Sequence, residues 1–236
     1  MSVIRIGTRG SKLALAQTNR VVSALEANGV EAEIVVISTR GDRVTDRALH
    51  EAGGFGLFVR ELDNAILDGR IDAAVHSMKD IPAERPKGTA LAAVLKRDPP
   101  FDFMVVEKPL EEVFTIGTSS LRRRAQLLRY YYKYPEMHVA NLRGNIDTRL
   151  AKLESGEYDA IILAEAALTR LGIHVHGFRL PADSFVPAPN QGAIAVVSRD
   201  ESSLLDIFAP LNDAQTAFDT AAERAVMEEI GGGCFT

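Results

Sequence analysis

The chain has 236 residues, 46% hydrophobic and 25% charged, with 27 Lys and Arg against 32 Asp and Glu for a net charge of −5. That length holds one large domain or two modest ones around a real core, and the acidic balance excludes a basic nucleic-acid coat. No apolar run is long enough for a membrane span, no signal-like segment opens the chain, and the single cysteine, Cys234, excludes both an internal disulfide and a multi-Cys metal site; a cytosolic globular protein is the expectation.

In chain order, Val3–Ile6 reads as a strand, and Ser11 is a candidate N-cap for a helix running to Asn28-Gly29. Glu33–Ile37 reads as a second, buried strand. Apolar residues at Leu57, Phe58, Leu62, Ala65 and Ile66 give Gly56–Leu67 a helical period, and Ala73–Val75 is a short strand. After Pro99-Pro100 the pattern restarts with strands at Phe103–Val106 and Ile116, a helix from Ser120, a strand at Val139-Ala140, a helix over Ile146–Glu154 and a strand at Ala160–Leu163. Gly192–Ser198 reads as a buried strand added back to the first lobe. Such alternation predicts an α/β fold with mostly parallel strands.

A short internal echo points to two similar lobes. Ile6-Gly7-Thr8 and Ile116-Gly117-Thr118 both end a strand and lead into a helix; Gly69-Arg70-Ile71-Asp72-Ala73 and Gly156-Glu157-Tyr158-Asp159-Ala160 both sit between a helix and a strand. The prolines at 99–100 and 187–189 mark two crossings. The expected architecture is therefore two α/β lobes, like those of periplasmic binding proteins, around a cleft: residues 1–97 with 192–212 as lobe 1 and 98–191 as lobe 2.

Four clusters carry candidate chemistry. Gly7-Thr8-Arg9-Gly10-Ser11 sets Arg9 and Ser11 beside a helix N-terminus, which suits an anion, although an ordinary cap beside a solvated arginine is the plainer reading. Gly117–Arg124 repeats the device. Between Ile116 and Lys152 eight cations face two acids, a surplus of six within an acidic chain, and such segregation marks an anionic partner. With Tyr130, Tyr131, Tyr132 and Tyr134 nearby that partner could be nucleic acid, but no groove-reading motif is present, and a small polycarboxylate gripped by arginine forks fits better. Third, His76-Ser77-Met78-Lys79-Asp80 stands at the carboxyl end of a strand, where an Asp beside cations could offset a developing positive charge or relay a proton, or simply make a loop salt bridge; His76 reads as packing. His174 and His176 lack a third ligand, so no metal is expected. Fourth, Gly231-Gly232-Gly233-Cys234 leaves a thiol on an open backbone, a candidate for covalent attachment.

Taken together these segments resemble the porphobilinogen deaminase (hydroxymethylbilane synthase) family. The likeness runs through Gly7–Leu15, Thr39-Arg40-Gly41-Asp42, Gly56–Leu62, His76–Pro82, Gly117–Arg123, Leu142–Leu150, Gly156–Ala164, Gln191-Gly192-Ala193 and Gly232-Gly233-Cys234. The resemblance implies a transferase of tetrapyrrole and haem biosynthesis, cytoplasmic and monomeric, with no nucleic-acid or membrane partner. It would condense four porphobilinogen units, with loss of ammonia, onto a dipyrromethane cofactor in thioether linkage to Cys234, and release hydroxymethylbilane. Asp80 matches the catalytic acid. Lys79, Asp80, Ser120, Arg122, Arg123, Arg143 and Arg149 match cofactor-binding positions; Arg9, Ser11, Arg149 and Arg170 match substrate-binding ones. Asp42 and the loop Arg43–Gly54 resemble an active-site lid.

Two departures stand out. Phe55 occupies Gly53-Gly54-Phe55-Gly56 where many members carry Lys, and the chain stops at Thr236, where family chains continue into a third small α/β domain. Residues 213–236 would then be the start of that domain. The tail from Gly231 is expected to be poorly ordered and activity to fall below that of a three-domain chain. A catalytically inactive cytosolic two-lobed anion-binding protein is the alternative, and it would need neither Cys234 nor Asp80.

Overall fold

The computed structural model describes residues 3–38, 57–82, 84–130 and 136–231. In chain order its elements are β1 (Ile4–Thr8), α1 (Lys12–Ala27), β2 (Ala32–Val36), α2 (Leu57–Leu67), β3 (Ala73–Ser77), β4 (Thr89–Val94), β5 (Asp102–Val106), β6 (Thr115–Gly117), α3 (Leu121–Tyr130) and β7 (His138–Ala140). Next come α4 (Ile146–Glu154), β8 (Ala160–Ala164), α5 (Glu165–Leu171), β9 (Gly177–Arg179), β10 (Ile194–Arg199), α6 (Ser202–Phe208) and α7 (Ala214–Glu229). The chain divides into two compact units, with breaks at Asp98/Pro99 and Ala188/Pro189.

Unit 1 holds a five-stranded sheet of order β2-β1-β3-β10-β4. Helix α1 forms where expected: the Ser11 hydroxyl accepts from Ala14 N at 3.2 Å, and Gln17, Thr18, Val21 and Leu25 are buried at helical spacing. Val21 and Leu25 meet Ile6, Val75, Val196 and Phe208 on one sheet face. Leu62 and Ile66 of α2 cover the other face with Ile71, Met78, Ala195 and Val197. Burial on both faces is why the inner strands β3 and β10 read as nearly unbroken apolar runs. Helix α7, where the sequence suggests that a third domain begins, packs on this unit: Asp213 N donates to Val94 O (2.8 Å), Arg97 N donates to the Thr216 hydroxyl (3.0 Å), and Ala217 joins the core.

Unit 2 repeats the plan as β7-β6-β8-β5-β9. The echo seen in the sequence has a structural basis. Arg5 N donates to the Asp72 carboxylate at 2.9 Å while Asp72 N donates to Arg5 O at 2.8 Å. In unit 2 Thr115 N donates to the Asp159 carboxylate at 2.8 Å and Asp159 N to Thr115 O at 2.9 Å. Each Asp thus locks the start of one strand to its parallel neighbour. Burial would push both carboxyls up, but hydrogen bonds from Arg5 and Arg199 on Asp72, and from Lys108 and the Thr115 and Phe114 amides on Asp159, pull them below the usual carboxylate range.

The sheets differ from expectation in direction and in content. β10 runs antiparallel to both β3 and β4, and β5 antiparallel to both β8 and β9, so each sheet is mixed rather than mostly parallel. β2 is a half-exposed edge strand, not a buried one. β4, β9, α5 and α6 are additional elements.

The close approach at Gly117 allows a direct test. A Cβ there would lie 2.7 Å from the Tyr158 ring, 3.0 Å from Leu142 and 3.1 Å from Ile161, all of them buried. Gly117→Ala is expected to lower unfolding stability by about 1–3 kcal/mol through overpacking, read from urea midpoints, without changing the fold.

Candidate functional site

In both units the candidate residues cluster at the carboxyl ends of strands, the usual place for ligands in α/β sheets. In unit 1, Arg9 and Ser11 follow β1. Lys79 and Asp80 stand in a 3-10 turn after β3, with Met78 N bonded to Ala193 O (3.0 Å) and Ile81 N to Met78 O (3.1 Å). Asp80 is exposed. Lys79 Nζ donates to Oε1 of the buried Gln191 at 3.2 Å, and the Gln17 side-chain amide of α1 donates to the Ser77 hydroxyl at 2.9 Å, so the turn is tied to both β10's approach and α1. His76 is buried as expected. Its Nε2 has no hydrogen-bond partner among the described residues, and burial, aided by the charges of Arg85 and Arg9, lowers its pKa to about 3.

In unit 2, α3 opens with Ser120, whose hydroxyl faces Arg123 N at 3.4 Å. Arg123 is buried and faces inward: Nε (3.1 Å) and Nη2 (2.7 Å) donate to Asp102 Oδ1, and Nη1 to Ile162 O (2.8 Å). Arg122 donates to Asp102 Oδ2 (2.7 Å) and to Val186 O (2.5 Å). Burial lowers the Arg122 pKa, against the pull of Asp102. Asp102 is wholly buried, so two cations converge on one carboxylate. By contrast Arg124 and Arg129 are exposed.

The loop after β7 brings in two further arginines. Ser119 Oγ donates to Leu142 O at 2.7 Å and so ties this loop to the start of α3. Arg143 next to it has a buried Nη1 without a partner among the described residues. Arg149, half-buried on α4, donates through Nε to Gly144 O at 2.8 Å. Its pKa is lowered to about 10, first by burial and then by the neighbouring charges of Arg123 and Arg143. Arg149 therefore feels the repulsion of both neighbouring charges. A ligand with several carboxylates would relieve that repulsion and would use the unpartnered Arg143 donor, so the residues present fit an acidic dipyrromethane. Arg170 is half-buried at the end of α5, after β8.

Several positions named from the sequence lie outside the described residues: Cys234, Asp42 with the lid loop and Phe55, and Tyr131, Tyr132 and Tyr134. Gly231 is the last described residue. Among the described residues no group of three His, Cys, Asp or Glu could hold a metal ion, and no helix is long and apolar enough to cross a membrane. Sequence reasoning missed Asp102, Arg97, Gln191, Glu223 and Arg224. Only Gln191 fell in a recognised motif; the others are ordinary charged residues whose partners stand far away in the chain.

These environments can be tested through stability. Asp102→Asn leaves Arg123 as a buried, undercompensated charge and is expected to cost about 3–5 kcal/mol in urea unfolding. His76 binds its proton near pH 6.5 when unfolded and near 3 when folded, so it leaves stability unchanged above about pH 6.5 and removes about 1.4 kcal/mol per pH unit below it. His76→Leu should flatten that slope between about pH 6.5 and pH 5, as read from urea midpoints across the range.

Residues 4–206 match the family described as "Porphobilinogen deaminase, dipyromethane cofactor binding domain". The protein named "Probable porphobilinogen deaminase" of Methanosarcina acetivorans is 51% identical over 237 residues, covering 98% of this chain and 74% of that one. Those of the same name from Archaeoglobus fulgidus and Methanocaldococcus jannaschii are 48% and 45% identical, covering 97% and 98% of this chain and 80% of each relative. Among solved structures, a periplasmic substrate-binding protein of an ABC transporter from Coxiella burnetii aligns over 95% of this chain and 98% of its own with a TM-score of 0.52 at 13% identity, a likeness of fold alone. With a family match over most of its length and relatives near half identity, the chain belongs to the porphobilinogen deaminase family, whose defining domain binds dipyrromethane.

Proposed function

We propose that the protein condenses four porphobilinogen units, with loss of ammonia, onto a dipyrromethane primer joined to Cys234, and then releases linear hydroxymethylbilane by hydrolysis. The observation that carries this reading is the undercompensated arginine cluster of unit 2. Burial and, after it, the charges of two neighbouring arginines lower the Arg149 pKa to about 10, and among the described residues Arg143 keeps a buried donor without a partner. A pyrrole bearing acetate and propionate groups brings two carboxylates, so a growing chain needs several fixed cations, and arginine forks bind carboxylates in a defined orientation.

In this reading Arg143 and Arg149 grip carboxylates directly, Ser120 adds a hydroxyl, and Lys79 a charge in unit 1. Arg122 and Arg123, anchored on Asp102, lend positive potential from behind. Arg9, Ser11 and Arg170 join Arg149 in holding the incoming porphobilinogen. When bound, the dipyrromethane supplies the pyrrole position to which the first unit is joined. The Asp80 carboxyl acts on the substrate: it offsets the positive charge that develops on the pyrrole as ammonia departs from the aminomethyl carbon, and it accepts the proton displaced when the new carbon–carbon bond forms. Each cycle thus makes one carbon–carbon bond, breaks one carbon–nitrogen bond and releases one ammonia. An exposed position on a braced turn suits a group that must meet substrate and exchange protons.

Intact mass is the first check. The purified chain is expected to exceed its sequence mass by one dipyrromethane and to colour with acidic dimethylaminobenzaldehyde; a mass equal to the sequence alone, after incubation with porphobilinogen, refutes the covalent primer. Asp80→Asn should nearly abolish hydroxymethylbilane release while the primer stays bound and the melting curve is unchanged, and near-normal turnover would remove Asp80 from the chemistry. Arg149→Leu should weaken pyrrole binding about tenfold or more, the loss of a charge-assisted contact, whereas Arg124→Leu and Arg129→Leu, on an exposed helix face, should alter it little. Equal effects at all three positions would indicate a diffuse basic surface instead.

A further inference from the structure

The turn that carries Lys79 and Asp80 leaves the sheet after Ser77, and among the described residues no strand follows until Thr89 to hold its exit. Pro82 has no N–H to donate, and Ile81 N is bonded to Met78 O within the turn itself (3.1 Å). The carbonyls of these two residues are met by one side chain from the far end of unit 1. Arg224 of α7 donates Nη2 to Pro82 O at 3.0 Å and reaches Ile81 O with Nη1 at 3.4 Å. Arg224 is half-buried; burial lowers its pKa, while Glu228 one turn further along α7 opposes that shift.

The preceding residue of the same helix is linked to the turn through Arg97 and Gln191. Glu223 accepts two hydrogen bonds from Arg97 (2.5 and 3.0 Å) and one from Asn190 N (2.5 Å). Arg97 Nε in turn donates to Gln191 O (2.9 Å), and the Gln191 side chain accepts from Lys79. Two successive residues of α7 thereby hold Lys79's partner and Asp80's exit. A few residues beyond, the same chain segment reaches Cys234.

We infer that Arg224 is a positioning residue for Asp80: it fixes the main chain immediately after the acid, so that the helix leading to Cys234 also sets where the carboxyl stands. The inference rests on the reading of Asp80 as the acid. A guanidinium suits the task because its planar fork presents two donors to two successive carbonyls, a geometry that a lysine ammonium cannot match with equal rigidity. The Asp80 side chain stays exposed to solvent while its backbone is held, and a shift of about an ångström there is enough to cost up to about a hundredfold in rate.

The test compares the full chain with Arg224→Gln, Arg224→Ala and Arg224→Lys in hydrogen exchange over Met78–Arg85 and in steady-state turnover of porphobilinogen. Arg224→Gln and Arg224→Ala should speed exchange in this segment while peptides from β3 and β10 remain protected. They should lower kcat about tenfold or more with KM for porphobilinogen changed less than about twofold, and Arg224→Lys should recover part of both effects. Unchanged exchange over Met78–Arg85 overturns the inference, as does a loss of protection spread over the whole unit. Faster exchange with undiminished kcat overturns it too, since Arg224 would then support structure alone. Asp80→Asn run in parallel separates the two readings: if that variant keeps its turnover, the acid assignment fails, and the exchange data still decide whether Arg224 holds the turn.

Discussion

Unit 2 depends on one buried carboxylate. Asp102, at the start of β5, lies beneath the N-terminus of α3 and receives two successive arginines, one at each oxygen. Arg123 reaches it from a nearly solvent-free position, where an unpaired guanidinium would cost several kcal/mol. Asp102 is thus what permits a helix beginning Leu121-Arg122-Arg123 to fold back onto the sheet. One carboxylate balances only part of the charge assembled there, and the remainder is expressed where Arg143 and Arg149 stand. The positive charge is concentrated in one stretch of the unit, Ile116–Lys152, where eight cations stand against two acids inside a chain whose net charge is negative.

The two units show how one plan supports two chemistries. In both, a strand ends in Gly-Thr before a helix, an Asp beside the residue that packs on that glycine locks the neighbouring strand, and a returning strand runs antiparallel through the sheet. The contact of Ile71 at Gly7 is matched by that of Tyr158 at Gly117. The skeletons agree because packing against a bare glycine leaves little latitude. The segments after β3 and its counterpart β8 do not agree: β3 leads into the exposed turn with Lys79 and Asp80, whereas β8 runs directly into α5 at Glu165. Function has diverged in the segments that the shared skeleton does not constrain.

Legibility in the sequence tracked the range of the interactions involved. α4 occupies the range read for it, Ile146–Glu154, and α1 begins after the Ser11 cap, because helix signals act within a turn or two. β4 escaped notice because Thr-Ala-Leu-Ala-Ala-Val has few β-branched residues, and β9 because it has three residues, all exposed. Strand direction was misread because alternation of helix and strand does not tell a parallel strand from one that returns through a long connection and pairs antiparallel, as β5 and β10 do. The same divide runs through the site. Asp80, Ser11 and Arg149 stand out within short motifs. Asp102 is 21 residues from Arg123, Arg224 is 142 from Pro82, and nothing local to either sequence position signals the pairing.

The acid and the cations are secured by different means, and the difference suits what each must do. Arg122 and Arg123 are held by their side chains, which fixes charge in space and removes several of their donors from use. Arg149, with one donor on Gly144 O, and Arg143, with a buried donor unpartnered, are the members left to meet carboxylates whose number and position change as a chain grows. The Asp80 turn is held at its main chain, at Met78 N and the carbonyls of Ile81 and Pro82, and by the Lys79 side chain on Gln191. Asp102 is wholly buried between two arginines, whereas Asp80 is an exposed residue. Bracing the backbone instead fixes where the group stands while leaving its side chain exposed to solvent. Positional accuracy and proton exchange are then supplied by separate parts of the same segment, and only the first of them depends on α7.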